Sequence, residues 1–115
     1  MPIFPKQSVT QNVTVQSMKA DTDTAFDVTL AVAATAEDLV LVPALKKGRI
    51  LSFINEGPGD IAISFDATAT AADTLIKEGE AYSEASLEIS TKVSFINVTA
   101  AATPRVRGQL LSGPA

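Results

Sequence analysis

Residues 49–65 read Arg-Ile-Leu-Ser-Phe-Ile-Asn-Glu-Gly-Pro-Gly-Asp-Ile-Ala-Ile-Ser-Phe, and this stretch decides the fold class. Its first seven residues read as a strand, with Phe53 and Ile54 on opposite faces. Glu56-Gly57-Pro58-Gly59-Asp60 is turn chemistry, because glycine supplies positive φ and proline pre-sets the bend. Ile61, Ile63 and Phe65 then share one face of a returning strand. Strand, turn and strand together predict a β-hairpin over 49–65.

The same period of two runs outward in both directions. Over 8–16, Val9, Val13 and Val15 share a face opposite Thr10, Asn12 and Thr14. Residues 17–24 are polar and read as a loop. Over 26–34, Phe26, Val28, Leu30 and Val32 face one way and Asp27, Thr29 and Ala31 the other. A short apolar run at 39–42 is stopped by Pro43, and 33–38 has room for no more than a helical turn. Beyond a small-residue loop at 66–73, short strands are expected at 75–76 and 87–89, with a turn at 77–80. Residues 92–98 and 104–111 complete the pattern, with Val106 and Leu110 inward and Arg105, Arg107 and Gln109 outward. Eight or nine short strands without a helix predict an all-β fold, an antiparallel two-sheet sandwich. A jelly roll is the first choice and an immunoglobulin-like sandwich the second. The expected organisation is an extended N-terminal arm at 1–7, a single domain at 8–111 and a flexible tail at 112–115.

One tetrapeptide occurs twice: Ser52-Phe53-Ile54-Asn55 and Ser94-Phe95-Ile96-Asn97. Convergence on one strand-to-turn solution explains it, and so does an internal duplication.

The side chains that usually carry chemistry are scarce. There is no His and no Cys, which removes the commonest general base and metal ligand along with thiolate and disulfide chemistry. No G-x-S-x-G elbow and no phosphate-cradling glycine loop is present. The carboxylate pairs Glu78 with Glu80, Asp60 with Asp66 and Asp21 with Asp23 sit in turns and loops, where solvation is the simplest reading. Asp21, Asp23 and Asp27 have an alternation that would suit calcium but lack a full EF-hand pattern. The expectation is therefore a non-enzymatic protein with no cofactor and no metal.

Net charge is −4, and no basic face is available to displace counterions from phosphates, so no nucleic acid is expected as partner. Lys46, Lys47 and Arg49 form the longest basic cluster and read as a solvated turn. Arg105 and Arg107 share one strand face, placed to pair with carboxylates or to touch a partner. Ile3 and Phe4 are large apolar residues between Pro2 and Pro5, costly to leave in water, so the arm is expected to dock on its own domain or on a neighbour. No basic region followed by an apolar stretch opens the chain, and no run approaches the roughly twenty apolar residues that span a bilayer. Synthesis in the host cytoplasm without a membrane partner is the expectation.

From Arg49 to Leu111 the chain resembles small head decoration (cement) proteins of tailed bacteriophages. The resemblance rests on 49–55 leading into the Gly-rich turn, on Asp60-Ile61-Ala62-Ile63-Ser64-Phe65-Asp66, on Ile76-Lys77-Glu78-Gly79-Glu80, and on the Val-Ser-Phe-Ile segment that ends in Pro104-Arg105-Val106-Arg107. It implies a β-sandwich or jelly roll, a homotrimer, the major capsid protein as partner and a place on the capsid surface of the virion. Ile3, Phe4, Arg105 and Arg107 are the candidate docking residues. The competing expectation is a phage tail or surface module that recognises a receptor or glycan, against which the scarcity of aromatics weighs.

Overall fold

A computed structural model describes residues 20–115. The arm at 1–7, with Ile3 and Phe4, and the strand expected at 8–16 lie outside the described residues.

Eight strands follow one another: β1 (Thr22–Thr29), β2 (Ala36–Val40), β3 (Lys46–Gly57), β4 (Ile61–Phe65), β5 (Thr74–Ile76), β6 (Ala81–Glu84), β7 (Lys92–Asn97) and β8 (Arg105–Pro114). They form two four-stranded antiparallel sheets, ordered β1-β8-β3-β6 and β2-β7-β4-β5. In an immunoglobulin sandwich the first two strands pair in one sheet. Here β1 and β2 lie in opposite sheets, and every connection except β4–β5 crosses between sheets. This is the jelly-roll order.

Alternation fills the space between the sheets. Leu51 and Phe53 of β3, Val106 and Leu110 of β8, Ile61 and Ile63 of β4, and Val93 and Phe95 of β7 meet in one core. A single cross-strand row runs Phe26, Gly108, Phe53, Tyr82. Tyr82 stacks on Phe53 at 5.2 Å, and Phe95 of the facing sheet meets Phe53 edge-on at 5.4 Å, both favourable geometries for aromatic rings. Glycine at 108 is required for close approach, since a Cβ there would run into the Ser52 carbonyl oxygen and the Phe53 backbone.

The repeated tetrapeptide occupies matching places. Advancing every strand number by four converts one sheet order into the other, so β3 corresponds to β7 and β4 to β8. Asn97 ends β7 and Asn55 stands two residues before the end of β3, and both are fully buried. Asn55 Nδ2 donates to the carbonyls of Gly59 (3.0 Å) and Ile76 (3.1 Å), and its Oδ1 accepts from the Gly57 amide (2.9 Å). Asn97 Nδ2 donates to Ala102 (2.7 Å) and Leu30 (3.2 Å), and its Oδ1 accepts from the Thr99 amide (2.8 Å). The main-chain carbonyls of the two asparagines likewise accept from Gly79 and Ala34. Each asparagine thus pins the corner after its own strand to the strand end beside it.

Several expectations are corrected. The hairpin over 49–65 is not formed, because β3 and β4 belong to different sheets. Gly57 (φ 76°) and Gly59 (φ 98°) do hold positive φ, but Asn55 bends this turn across the sandwich instead of back along β3. Residues 112–115 are not a loose tail: β8 continues to Pro114 opposite Lys46, and Ser112 is fully buried. Strand β1 takes up Thr22 to Thr24 from the expected loop, because β8 is long enough to pair with them. A strand begins at Ala36 where a helical turn had room. At 87–89 only a bridge from Ile89 to Gly48 forms. The strand lies at Ala81–Glu84 instead, where Tyr82 reaches Phe53.

Replacing either asparagine by alanine leaves one amide and two carbonyls without their buried partner. At roughly 1–3 kcal/mol per unsatisfied group, partly relieved by water, Asn55→Ala and Asn97→Ala should each lower unfolding free energy by about 2–4 kcal/mol in urea titrations. Gly57→Val should be similarly damaging, because its Cβ would lie 2.5 Å from Glu78 Cγ in addition to the unfavourable φ. An unchanged urea midpoint in any of the three would contradict the corner geometry.

Candidate interaction surface

The sheet β1-β8-β3-β6 turns one face to the core and the other outward. Strand alternation sends Asp27, Arg105, Arg107, Gln109, Ser52, Ile54, Glu56 and Ala81 to the outer face. Arg105 grips Asp27 with two bonds, Nε to Oδ1 at 2.9 Å and Nη2 to Oδ2 at 2.5 Å. Its Nε is also 3.8 Å from Glu56 Oε1, and Arg107 Nη2 donates to Glu56 Oε2 at 2.5 Å. The hydrogen bond from Arg105 holds the Asp27 carboxyl below the usual carboxylate range and raises Arg105 in return. Both arginine side chains remain about half exposed, at 48% and 49%. Exposed pairs of this kind contribute little to stability, so the network orients its members more than it stabilises the fold.

Of the four candidate docking residues, Arg105 and Arg107 are therefore brought together, two residues apart on β8, each already paired with a carboxylate. Ile3 and Phe4 lie outside the described residues. Sequence reasoning left the partners Asp27 and Glu56 unassigned. Asp27 was legible as outward-facing, but which strand lies beside β1 is set by topology. Next to the network runs a shallow groove lined by Ser52, Ile54, Ala81, Arg107, Gly108 and Gln109. Val32, Val40, Leu45 and Leu75 are exposed singly at loops and sheet edges, a pattern that carries no message of its own.

The other polar candidates hold the chain's own loops. Glu78 Oε1 accepts from the Gly59 amide (2.6 Å), Asp60 Oδ1 from the Glu78 amide (2.9 Å), and Glu80 Oε1 from the Lys77 amide (2.6 Å). Asp66 accepts from the amides of Ser90, Thr91 and Lys92. Asp21 pairs with Lys46 at 2.7 Å, which separates it from Asp27 and its arginine. Among the described residues no group of three His, Cys, Asp or Glu is placed to hold a metal ion, and no helix is long and apolar enough to cross a membrane. The basic cluster is spent on tethers. Lys46 donates to Asp21 and to Thr22 of β1, Lys47 donates to Ser90, and Arg49 donates to Glu88 and to the Pro114 carbonyl.

No protein-family model matches the chain, and no curated protein matches it.

Asp66 gives the pH dependence. Burial pushes its carboxyl up, but the three amides and Thr91 outweigh that and hold it below its ordinary value. A depressed carboxyl stabilises the fold fully above its unfolded pKa of about 4 and loses that contribution as pH falls through the folded value. Asp66→Asn should therefore lower Tm at pH 7, and the gap to the parent protein should close as pH approaches about 2. A gap that stays constant from neutral to acid would remove the charge from the explanation.

Proposed function

We propose that the protein is a non-enzymatic structural component of a bacteriophage virion, a decoration (cement) protein that binds the outside of the assembled head. What chiefly supports the reading is a jelly roll, a fold that recurs in viral capsid domains, most of whose described carboxylates and cations are engaged with its own loops and strands. The resemblance of residues 49–111 to phage cement proteins points the same way. A receptor- or glycan-binding role is less well served, because Phe26, Phe53, Phe65, Phe95 and Tyr82 all pack in or against the core, where sugars cannot stack on them.

The partner in this reading is the major capsid protein, and the protein acts as a homotrimer on the capsid surface. The mechanism is mass action: a ligand that binds only the assembled shell stabilises the shell. Repetition over many copies turns a modest contact into a large total. Ile3 and Phe4 of the arm, with Arg105 and Arg107 beside them in role, are the proposed contacts. Burying each of the two apolar side chains contributes roughly 1.5–3 kcal/mol.

Electron microscopy of the source particle provides the direct test, with the protein expected as trimers on the outside of the head. Its absence from purified heads, or its presence on tails alone, would overturn the assignment. Deleting residues 1–6 should leave the melting temperature unchanged and weaken decoration of heads. A lowered melting temperature with undiminished decoration would place the arm on its own domain.

A further inference from the structure

The two outer faces of the sandwich are built alike but finished differently. On β2-β7-β4-β5, Ile96 lies in register between Ala36 and Ala62, with Ser94 two residues before it. Residues 66–73, which lead into β5, cross this face. Ala69 lies buried at 3% exposure with Ala62 and Ile96, and its amide donates to Ser94 Oγ at 2.9 Å. Ile96 is left only 7% exposed and Ser94 fully buried. On β1-β8-β3-β6 the matching residues of the repeat are Ile54, in register between Ala81 and Arg107, and Ser52 two residues before it. Here Ile54 is 40% exposed, and the two line the open groove.

Advancing strand numbers by four makes β5 correspond to β1, so the counterpart of the covering segment is the chain that enters β1. Residues 1–19 precede the described part, and β1, the first described strand, is an edge of this same sheet. We propose that residues 8–16 of the same chain lie across the outer face of β1-β8-β3-β6 and cover Ser52 and Ile54, as 66–73 cover Ser94 and Ile96.

Composition and reach both fit. Val9, Val13 and Val15 share one face of this segment and offer apolar cover for Ile54, leaving Thr10, Asn12 and Thr14 to solvent. Residues 8–16 carry no charge, and the single charge lining the groove, Arg107, is already paired with Glu56. Covering the groove therefore strands no new charge. From β1 the chain must cross two strand spacings, roughly 10 Å, to stand over β3. Residues 17–21 span up to about 16 Å when extended.

The chain has no cysteine, so Ile54→Cys in the full-length protein is a unique reporter, with Leu75→Cys as an exposed control. The thiol introduced by Ile54→Cys should react with a water-soluble thiol reagent at least about tenfold more slowly than the control, as expected for a site that opens only transiently. The slower rate should be the same across a tenfold range of protein concentration. Adding Val13→Asp and Val15→Asp should bring it back to the control rate. Equal rates without those changes, or protection that survives them, would overturn the proposal. Protection that grows with concentration would assign the groove to a second copy and overturn it too. In the unaltered protein, nuclear Overhauser contacts between the Ile54 methyls and those of Val9, Val13 or Val15 are expected. Their absence would overturn the proposal independently of any variant. Neither readout depends on capsid binding, so failure here leaves the virion reading standing.

Discussion

Two buried asparagines hold this sandwich together at its corners. A jelly roll passes its chain repeatedly from one sheet to the other, and each passage breaks the main-chain ladder and strands amides and carbonyls in the interior. A buried polar group without a partner costs more than a made hydrogen bond returns. Asn55 and Asn97 resolve this by presenting two donors and one acceptor from a single side chain to a turn and a neighbouring strand end at once. No apolar residue of that size can do this. Aspartate would bring a charge and no donors to two carbonyl oxygens.

The correspondence between the two asparagines extends to the architecture. Strand order, corner hydrogen bonds and the Ser-Phe-Ile-Asn repeat all follow the same four-strand shift. Convergence on a useful turn accounts for a repeated tetrapeptide taken alone. The four-strand shift belongs to the jelly-roll order itself, so its two equivalent corners accommodate convergence and a duplicated four-strand unit alike. The aromatic row across Gly108 breaks the symmetry, since it concentrates Phe26, Phe53 and Tyr82 on one sheet and leaves Phe95 to meet them from the other.

Glu78, Glu80 and Asp66, which looked available in the sequence, accept from main-chain amides at short loops, while Lys47 and Arg49 donate to the Ser90 hydroxyl and the Pro114 carbonyl. These contacts stiffen loops around a small core of aliphatic residues and a few rings.

Alternation and turn chemistry are local properties of the chain, so the all-β class, most strand positions, the shared face of Ile61 and Ile63 and the inward direction of Val106 and Leu110 were legible in the sequence. It also carried the outward direction of Arg105 and Arg107. That β3 and β4 part company, that residues 112–114 belong to a long strand, and that Asp27 and Glu56 neutralise the two arginines emerges only from the folded chain. Those outcomes depend on which strands become neighbours. Strand neighbours are chosen by the packing of residues far apart in sequence, where Ile89 meets Gly48 and Thr29 meets Arg105. The meaning of the repeated asparagine was hidden for the same reason. Its hydrogen-bonding capacity is written in the residue, but its partners Ile76 and Leu30 arrive only when the sheets close.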